Sequence, residues 1–214
     1  MLANDYLGRM FPSLLLSPGL FYRWEIGIRF ELGINYTPDL AYVNSPYLQG
    51  VYKRAITLFE ELHSPNDSIF IVIDIYDDGH GYRNRKFLRR FIKEKSLLYQ
   101  LRHETLPDVY SEESEEDSSK IFRFTLRCRP SDLKYTSMLK AICNQDMGIK
   151  PSLSHTVYFM NLSRNTIFHV YDDRGCDVLG ASPDSLKGVY ERFSDWILEY
   201  DRDEIDKVFI KGGQ

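Results

Sequence analysis

Hydrophobic and polar positions alternate with two different periods along this chain, and the change of period marks out its elements. In Trp24–Leu32 the residues Ile26, Ile28, Phe30 and Leu32 alternate with Glu25, Gly27, Arg29 and Glu31. A period of two predicts a strand with one apolar face, leaving Arg29 and Glu31 on the other. Lys120–Arg129 repeats the device: Phe122, Phe124, Leu126 and Cys128 share one side, and Arg123, Thr125, Arg127 and Arg129 the other. Ser68–Tyr76 (SIFIVIDIY) is apolar almost throughout, which predicts an interior strand covered on both faces. Thr156–Leu162 and Thr166–Tyr171 flank the polar Ser163-Arg164-Asn165 and predict a C-terminal β-hairpin, followed by a short strand at Cys176–Leu179.

The helical period appears after two Ser-Pro pairs. Ser45-Pro46 opens a stripe of Leu48, Val51, Tyr52, Ala55, Phe59 and Leu62. Ser182-Pro183 opens another, of Leu186, Val189, Tyr190, Phe193, Ile197 and Tyr200, widened by Trp196. Serine as N-cap with proline at the first helical position predicts a helix in each case. Helices are also predicted for Arg83–His103, for Tyr135–Asn144, and for a short segment near Tyr6–Leu16. Strands and helices interleave, with no shift of composition between them. The expected fold is therefore α/β (α+β mixed): a single layered domain over residues 1–214, a central mixed β-sheet, and helices packed on it. The acidic stretch 111–119 (SEESEEDSS) predicts a mobile loop.

Composition narrows the classes. The 214 residues are 43% hydrophobic and include 15 tyrosines and 13 phenylalanines, enough for a large aromatic core or surface. A net charge of −4 gives no global attraction to nucleic acid or to an anionic membrane. No apolar run is long enough to span a bilayer, and the first residues do not read as a signal peptide, so a cytoplasmic protein is expected. Cys128, Cys143 and Cys176 lack metal or redox spacing and read as free thiols.

Candidate chemistry is sparse. Asp74, Asp77, Asp78 and Asp172 lie in or after strands, where converging carboxylates could hold a hard cation. The same residues are ordinary turn formers. Asp74, inside an apolar strand, needs a partner if buried, and Arg29 or an arginine of Lys120–Arg129 is the expected one. His80, between two glycines, is the candidate catalytic histidine, with Asp78 and Asp173 beside it in a metal-dependent hydrolase or nuclease reading. Arg85, Arg89 and Arg90, within the basic run Arg83–Lys95, would grip phosphates in a nucleic-acid-binding reading. No phosphate loop, nucleophile elbow or metal-binding histidine pair is present, and no cofactor is expected.

The segments GIRFELG (Gly27–Gly33), SIFIVIDIY, VYDDRGCDV (Val170–Val178) and LKGVYERFSDWILEYDRDEID (Leu186–Asp206) together resemble a bacterial family catalogued as domain of unknown function 3885. The resemblance extends from about Phe21 to Phe209, and the Tyr171–Val178 element is its most specific part. It carries no established activity. It implies a bacterial cytosolic protein, in a setting where toxin-neutralising immunity proteins are common, and it nominates Asp172, Asp173, Arg174 and Asp177. With no catalytic spacing to set against it, a non-enzymatic protein-binding role is the leading expectation. The partner would be another protein, such as a toxin domain, met by Tyr171, Asp172, Asp173, Arg174 and Asp177 together with the basic arginines.

Overall fold

A computed structural model describes residues 1–76, 85–107 and 120–210. Its frame is one seven-stranded sheet: β1 (Gly27–Glu31), β2 (Ile69–Tyr76), β3 (Arg102–Pro107), β4 (Lys120–Cys128), β5 (Thr156–Asn161), β6 (Thr166–Val170) and β7 (Gly175–Gly180). The spatial order is β1-β7-β6-β5-β2-β4-β3. Strands and helices combine as the α+β class requires. All six pairings are antiparallel, however, where a mixed sheet was expected. For β5, β6 and β7 the reason is local: they follow one another through short turns, which can join only antiparallel neighbours.

The predicted strand faces hold. Ile28 and Phe30 of β1, Ile71 and Ile73 of β2, and Phe124 and Leu126 of β4 point into one core. That core is closed by helix α2 (Pro46–Leu62), by α3 (Tyr135–Cys143) and by the buried side chains Leu186, Val189, Phe193 and Ile197. The other face carries Phe70, Val72, Tyr158, Met160, Ile167 and Leu179. It is covered by helix α1 (Ala3–Met10) and the chain that follows, through Phe11, Leu14, Leu16 and Leu20. The sheet is thus sandwiched, which is why β5, β6 and β7 read as nearly unbroken apolar runs. Helix α1 ends at Met10, because the residue before Pro12 is pushed out of helical geometry.

Two helical expectations fail for tertiary reasons. Arg83–His103 is not a helix: its described part forms 3-10 turns at Arg85–Arg90 and Lys95–Gln100, and its end enters β3. Between the turns Ile92 bridges Leu133, with Lys93 N–H donating to the Asp132 carbonyl at 2.8 Å. Those backbone groups are thereby lost to a helix. The stripe from Ser182 to Tyr200 is broken as well. Only Lys187–Arg192 is α-helical (α4), flanked by 3-10 turns at Pro183–Ser185 and Ser194–Trp196. Ile197 then bridges Phe30, and Leu198 N–H donates to the Arg29 carbonyl at 2.8 Å. This segment covers the outer edge of β1, an exposed row of polar groups that would otherwise be open to pairing. Tyr200 is left exposed, and the chain turns into α5 (Arg202–Phe209). Ser45 does cap α2, its Oγ accepting from Leu48 N–H at 3.2 Å, whereas the Ser182 side chain caps nothing.

The three cysteines are free and buried, and burial pushes the Cys128 thiol up to about 12. Among the described residues no helix is long and apolar enough to cross a membrane. The acidic stretch 111–119 lies outside the described residues.

Candidate functional site

The alternation that buries Ile28 and Phe30 sends Arg29 and Glu31 to the opposite face of β1. There Arg29 stands in register with Asp177 of β7, and Asp177 with His169 of β6. The His169 ring lies 4.6 Å from that of Tyr158, whose register partner on β2 is Val72. A band of polar side chains therefore runs across the sheet face that also carries the buried Asp74–Arg123 pair. At the β1 end of this band a cleft of about 600 Å³ opens, lined by Gly19, Arg29, Glu31, Gly33, Tyr171, Asp172, Arg174, Asp177 and Leu198.

Arg29 is the hub of the cleft. Its Nη1 donates to Asp201 Oδ2 at 3.1 Å, and its Nε lies 3.5 Å from Asp177 Oδ1. The guanidinium sits 5.0 Å from the Tyr22 ring centroid and 5.5 Å from that of Tyr171, within cation–π range. Asp177 is fully buried and accepts from Phe21 N–H at 3.1 Å through Oδ2. Burial raises its carboxyl to about 6, against the pull of that hydrogen bond and of Arg29.

The turn after β6 forms the opposite wall. Asp172 Oδ1 accepts from Arg174 N–H at 2.7 Å, which is an Asx turn, and its Oδ2 takes the Arg174 Nε at 2.8 Å. Asp173 points away, accepting from the Tyr47 hydroxyl at 2.5 Å, and burial raises its pKa above the ordinary value. Gly175 restarts the sheet as β7 beneath the Tyr171 ring. A Cβ there would stand 2.7 Å from the Phe30 carbonyl and 2.0 Å from the Tyr171 hydroxyl. Gly175→Ala should therefore cost roughly 1–3 kcal/mol by forcing the β1–β7 backbone apart. Urea titration measures this, and an unchanged midpoint would mean that the Tyr171 ring swings clear and the Phe30 carbonyl shifts without cost.

The expected site residues separate into groups. Tyr171, Asp172, Arg174 and Asp177 meet in the cleft, with Asp173 immediately behind it. Asp74 does not join them. It is bound bidentately by Arg123, Nε to Oδ1 at 2.7 Å and Nη2 to Oδ2 at 2.6 Å, so the arginine of β4 is its partner and Arg29 is not. β5 lies between Asp74 and the strand leading to Asp172, two strand spacings of roughly 10 Å in all. Asp74 and Asp172 therefore do not share a cation site, and among the described residues no three His, Cys, Asp or Glu side chains converge on one. Asp77, Asp78 and His80 lie outside the described residues, as does the Arg85 side chain. Arg89 and Arg90 are exposed on a 3-10 turn, and Arg90 Nη2 donates to the Ser152 carbonyl at 2.6 Å. Lys93 and Lys95 also donate to backbone carbonyls, so these cations do not form the helical stripe expected of a phosphate-gripping face.

Glu31 lines the cleft, and Tyr22 and Asp201 flank its Arg29, but none carried a signal as a site residue. Only the two-residue period of β1, which sets Glu31 beside Arg29 on the non-core face, hinted at one of them.

A family model described as a domain of unknown function (DUF3885) matches residues 3–201, and the chain belongs to that family. Among its relatives is the uncharacterized protein YnaE of Bacillus subtilis (strain 168), 32% identical over 206 residues, which are 91% of this chain and 96% of that protein. No solved structure matches the chain.

Proposed function

We propose that the protein is a non-enzymatic binding protein of the bacterial cytosol that seats another protein across the cleft, and that its partner is a toxin domain held inactive in the complex. The observation that carries the binding role is the distribution of exposed aromatic side chains around the cleft. Tyr22 (59% exposed) touches Asp201, and Tyr200 (87% exposed) precedes Asp201 on the same rim. On the other rim Tyr36 (49% exposed) packs on Tyr47, which holds Asp173; Ile34, Tyr42 and Val43 are exposed on the same loop. Exposed tyrosines beside a cleft of arginines and carboxylates match the composition of an interface hot spot. The toxin assignment rests on the bacterial setting that the family resemblance implies.

The carboxylate-hydrolase and nucleic-acid readings have less to support them. Asp74 is committed to Arg123, and Arg90, Lys93 and Lys95 are committed to carbonyls.

The test is affinity capture at physiological salt from the cells that make the protein, followed by light scattering on the isolated complex. A single partner at fixed stoichiometry is expected. The triple substitution Tyr36→Ala, Tyr42→Ala and Tyr200→Ala should weaken the complex by about a hundredfold or more while leaving stability almost unchanged. Undiminished binding by that variant would move the interface elsewhere, and a partner-free protein would remove the reading.

A further inference from the structure

We propose that β3 is the contact edge of a symmetric dimer: the strand pairs antiparallel with β3 of a second copy of this chain, in one register, and joins two seven-stranded sheets into one.

The chain treats the two edges of its sheet differently. It closes the β1 edge with Ile197 and Leu198. At the other end, among the described residues, Arg102–Pro107 pairs with β4 on one side and with no backbone on the other. An open row of strand N–H and C=O groups is a template for a further strand. Most of β3 is exposed to solvent, and Tyr99, on the 3-10 turn that leads into it, is 94% exposed. Tyrosine is among the residues that interfaces concentrate.

Pro107 determines which backbone groups face outward. Its nitrogen has no hydrogen to give to β4, so it belongs to the outward set. Alternation places the N–H and C=O groups of His103 and Thr105 in that set as well, while Arg102, Glu104 and Leu106 bond to β4. Two identical strands pair about a two-fold axis, so each register is defined by the residue that meets its own copy. Centred on Arg102 or on Glu104, the pairing opposes two like charges. Centred on Thr105, it sets His103 against Pro107 and forfeits a backbone bond. Centred on His103, it sets Arg102 directly opposite Glu104 of the second copy, and the symmetry makes that contact twice.

Arg102 and Glu104 point to the same face, and in this register they occupy the non-hydrogen-bonded positions, where opposed side chains come closest. Opposite charges so placed stabilise a strand pair. Both residues are available. Among the described residues no ion pair holds Arg102, and Glu104 accepts one long bond, from Asn4 Nδ2 at 3.4 Å. His103 gives only its backbone to the axis, and its ring stays against Phe122 and Phe124. Tyr99 lies as many residues before His103 as Pro107 lies after it, so Pro107 of the second copy arrives at the turn that carries the exposed ring. The charges that deter unrelated strands thus admit this one. The two clefts lie at the far ends of the joined sheet and stay open, so the dimer is compatible with the binding role and independent of it.

The experiment is sedimentation equilibrium on the isolated full chain and its variants at physiological salt. A species of twice 25.2 kDa is expected, with a dissociation constant at or below about 0.1 mM. Arg102→Glu and Glu104→Lys, each alone, oppose like charges twice and should each weaken the dimer by at least about tenfold. An equimolar mixture of the two variants restores both attractions and should form a heterodimer again. His103→Pro removes the two backbone bonds at the axis while leaving the ladder to β4 whole, and should also give monomer. It serves as the second variant should the Glu104 substitution fold poorly beside Arg123, with urea midpoints checking the fold of each. A monomer at about 0.1 mM overturns the proposal. So does a dimer that survives both Arg102→Glu and His103→Pro, or a mixture of two folded charge variants that stays monomeric.

Discussion

Replacing Arg123 with alanine is expected to cost about 3–5 kcal/mol, the range found when one partner of a buried ion pair is removed. Asp74 is fully buried, and burial pushes its carboxyl up against the opposing pull of Arg123. Both carboxylate oxygens take a nitrogen from that one guanidinium. Arg123 Nη2 also donates to the Leu16 carbonyl at 3.3 Å, so the arginine ties the segment covering the second sheet face to the sheet itself. Alanine would leave an ionised carboxylate beneath that segment with no counter-charge. The pair as a whole is a different matter. Its desolvation cost nearly cancels its attraction, so Asp74→Leu with Arg123→Leu should lose far less than the single change. Urea denaturation of both variants measures the difference. In the single variant Asp74 has a folded pKa above its unfolded one, so stability should be recovered as pH falls through the folded value. A loss below about 1 kcal/mol would show that the carboxylate escapes to solvent or takes another partner.

That pair also shows how far a sequence can be read. A carboxylate inside Ile69–Tyr76 needs a cation, and an arginine on the polar side of Lys120–Arg129 was an available one. Choosing Arg123 over Arg29 required the register of β2 on β4, which sets Asp74 opposite Arg123. Six of the seven strands were legible because burial on one face or on both leaves a period that local residues display; β3, largely exposed, shows no such period and was not. The 17-residue helix α2 was legible because serine, proline and stripe agree over its whole length. Ser182–Tyr200 carries the same signals but meets the bare edge of β1, and backbone pairing at Ile197 outweighs a weak helical preference. The cleft was half legible. The Asp172–Arg174 turn is local chemistry, and Asp177 belongs to the same short segment. Tyr22 and Asp201 are 179 residues apart, and they meet only because α5 and the turn before β1 converge on Arg29. No local pattern records such a meeting.

Lowering the pH from 7 to 4 should reduce stability, and buried histidines account for the loss. His63 Nδ1–H donates to the Phe59 carbonyl at 2.8 Å, and His169 Nδ1–H to that of Val157 at 2.9 Å. In the neutral rings Nδ1 therefore carries the proton, and protonation would charge Nε2. For His63 that atom is buried without a partner among the described residues, in a ring stacked 4.2 Å from Phe59 with Phe159 and Phe168 close by. Burial lowers both pKa values from 6.5 to about 4. The unfolded chain then binds more protons between pH 6.5 and 4, so stability falls as pH falls through that window, by about 3 kcal/mol for each histidine. Asp177 acts in the opposite sense. Its folded pKa of about 6 lies above the ordinary 3.8, so the folded state takes up its proton first and gains about 3 kcal/mol over much of the same range. His155, which burial also lowers to about 4, acts with the two histidines, and Asp74 and Asp173, both raised by burial, act with Asp177; the histidines set the sign. His63→Leu should flatten the pH dependence, and Asp177→Asn should steepen it by removing the offset. Urea midpoints for the three proteins at pH 7, 5.5 and 4.5 separate these contributions. If the unsubstituted protein is as stable at pH 4.5 as at pH 7, the two rings reach water in the folded state and the account of both is wrong.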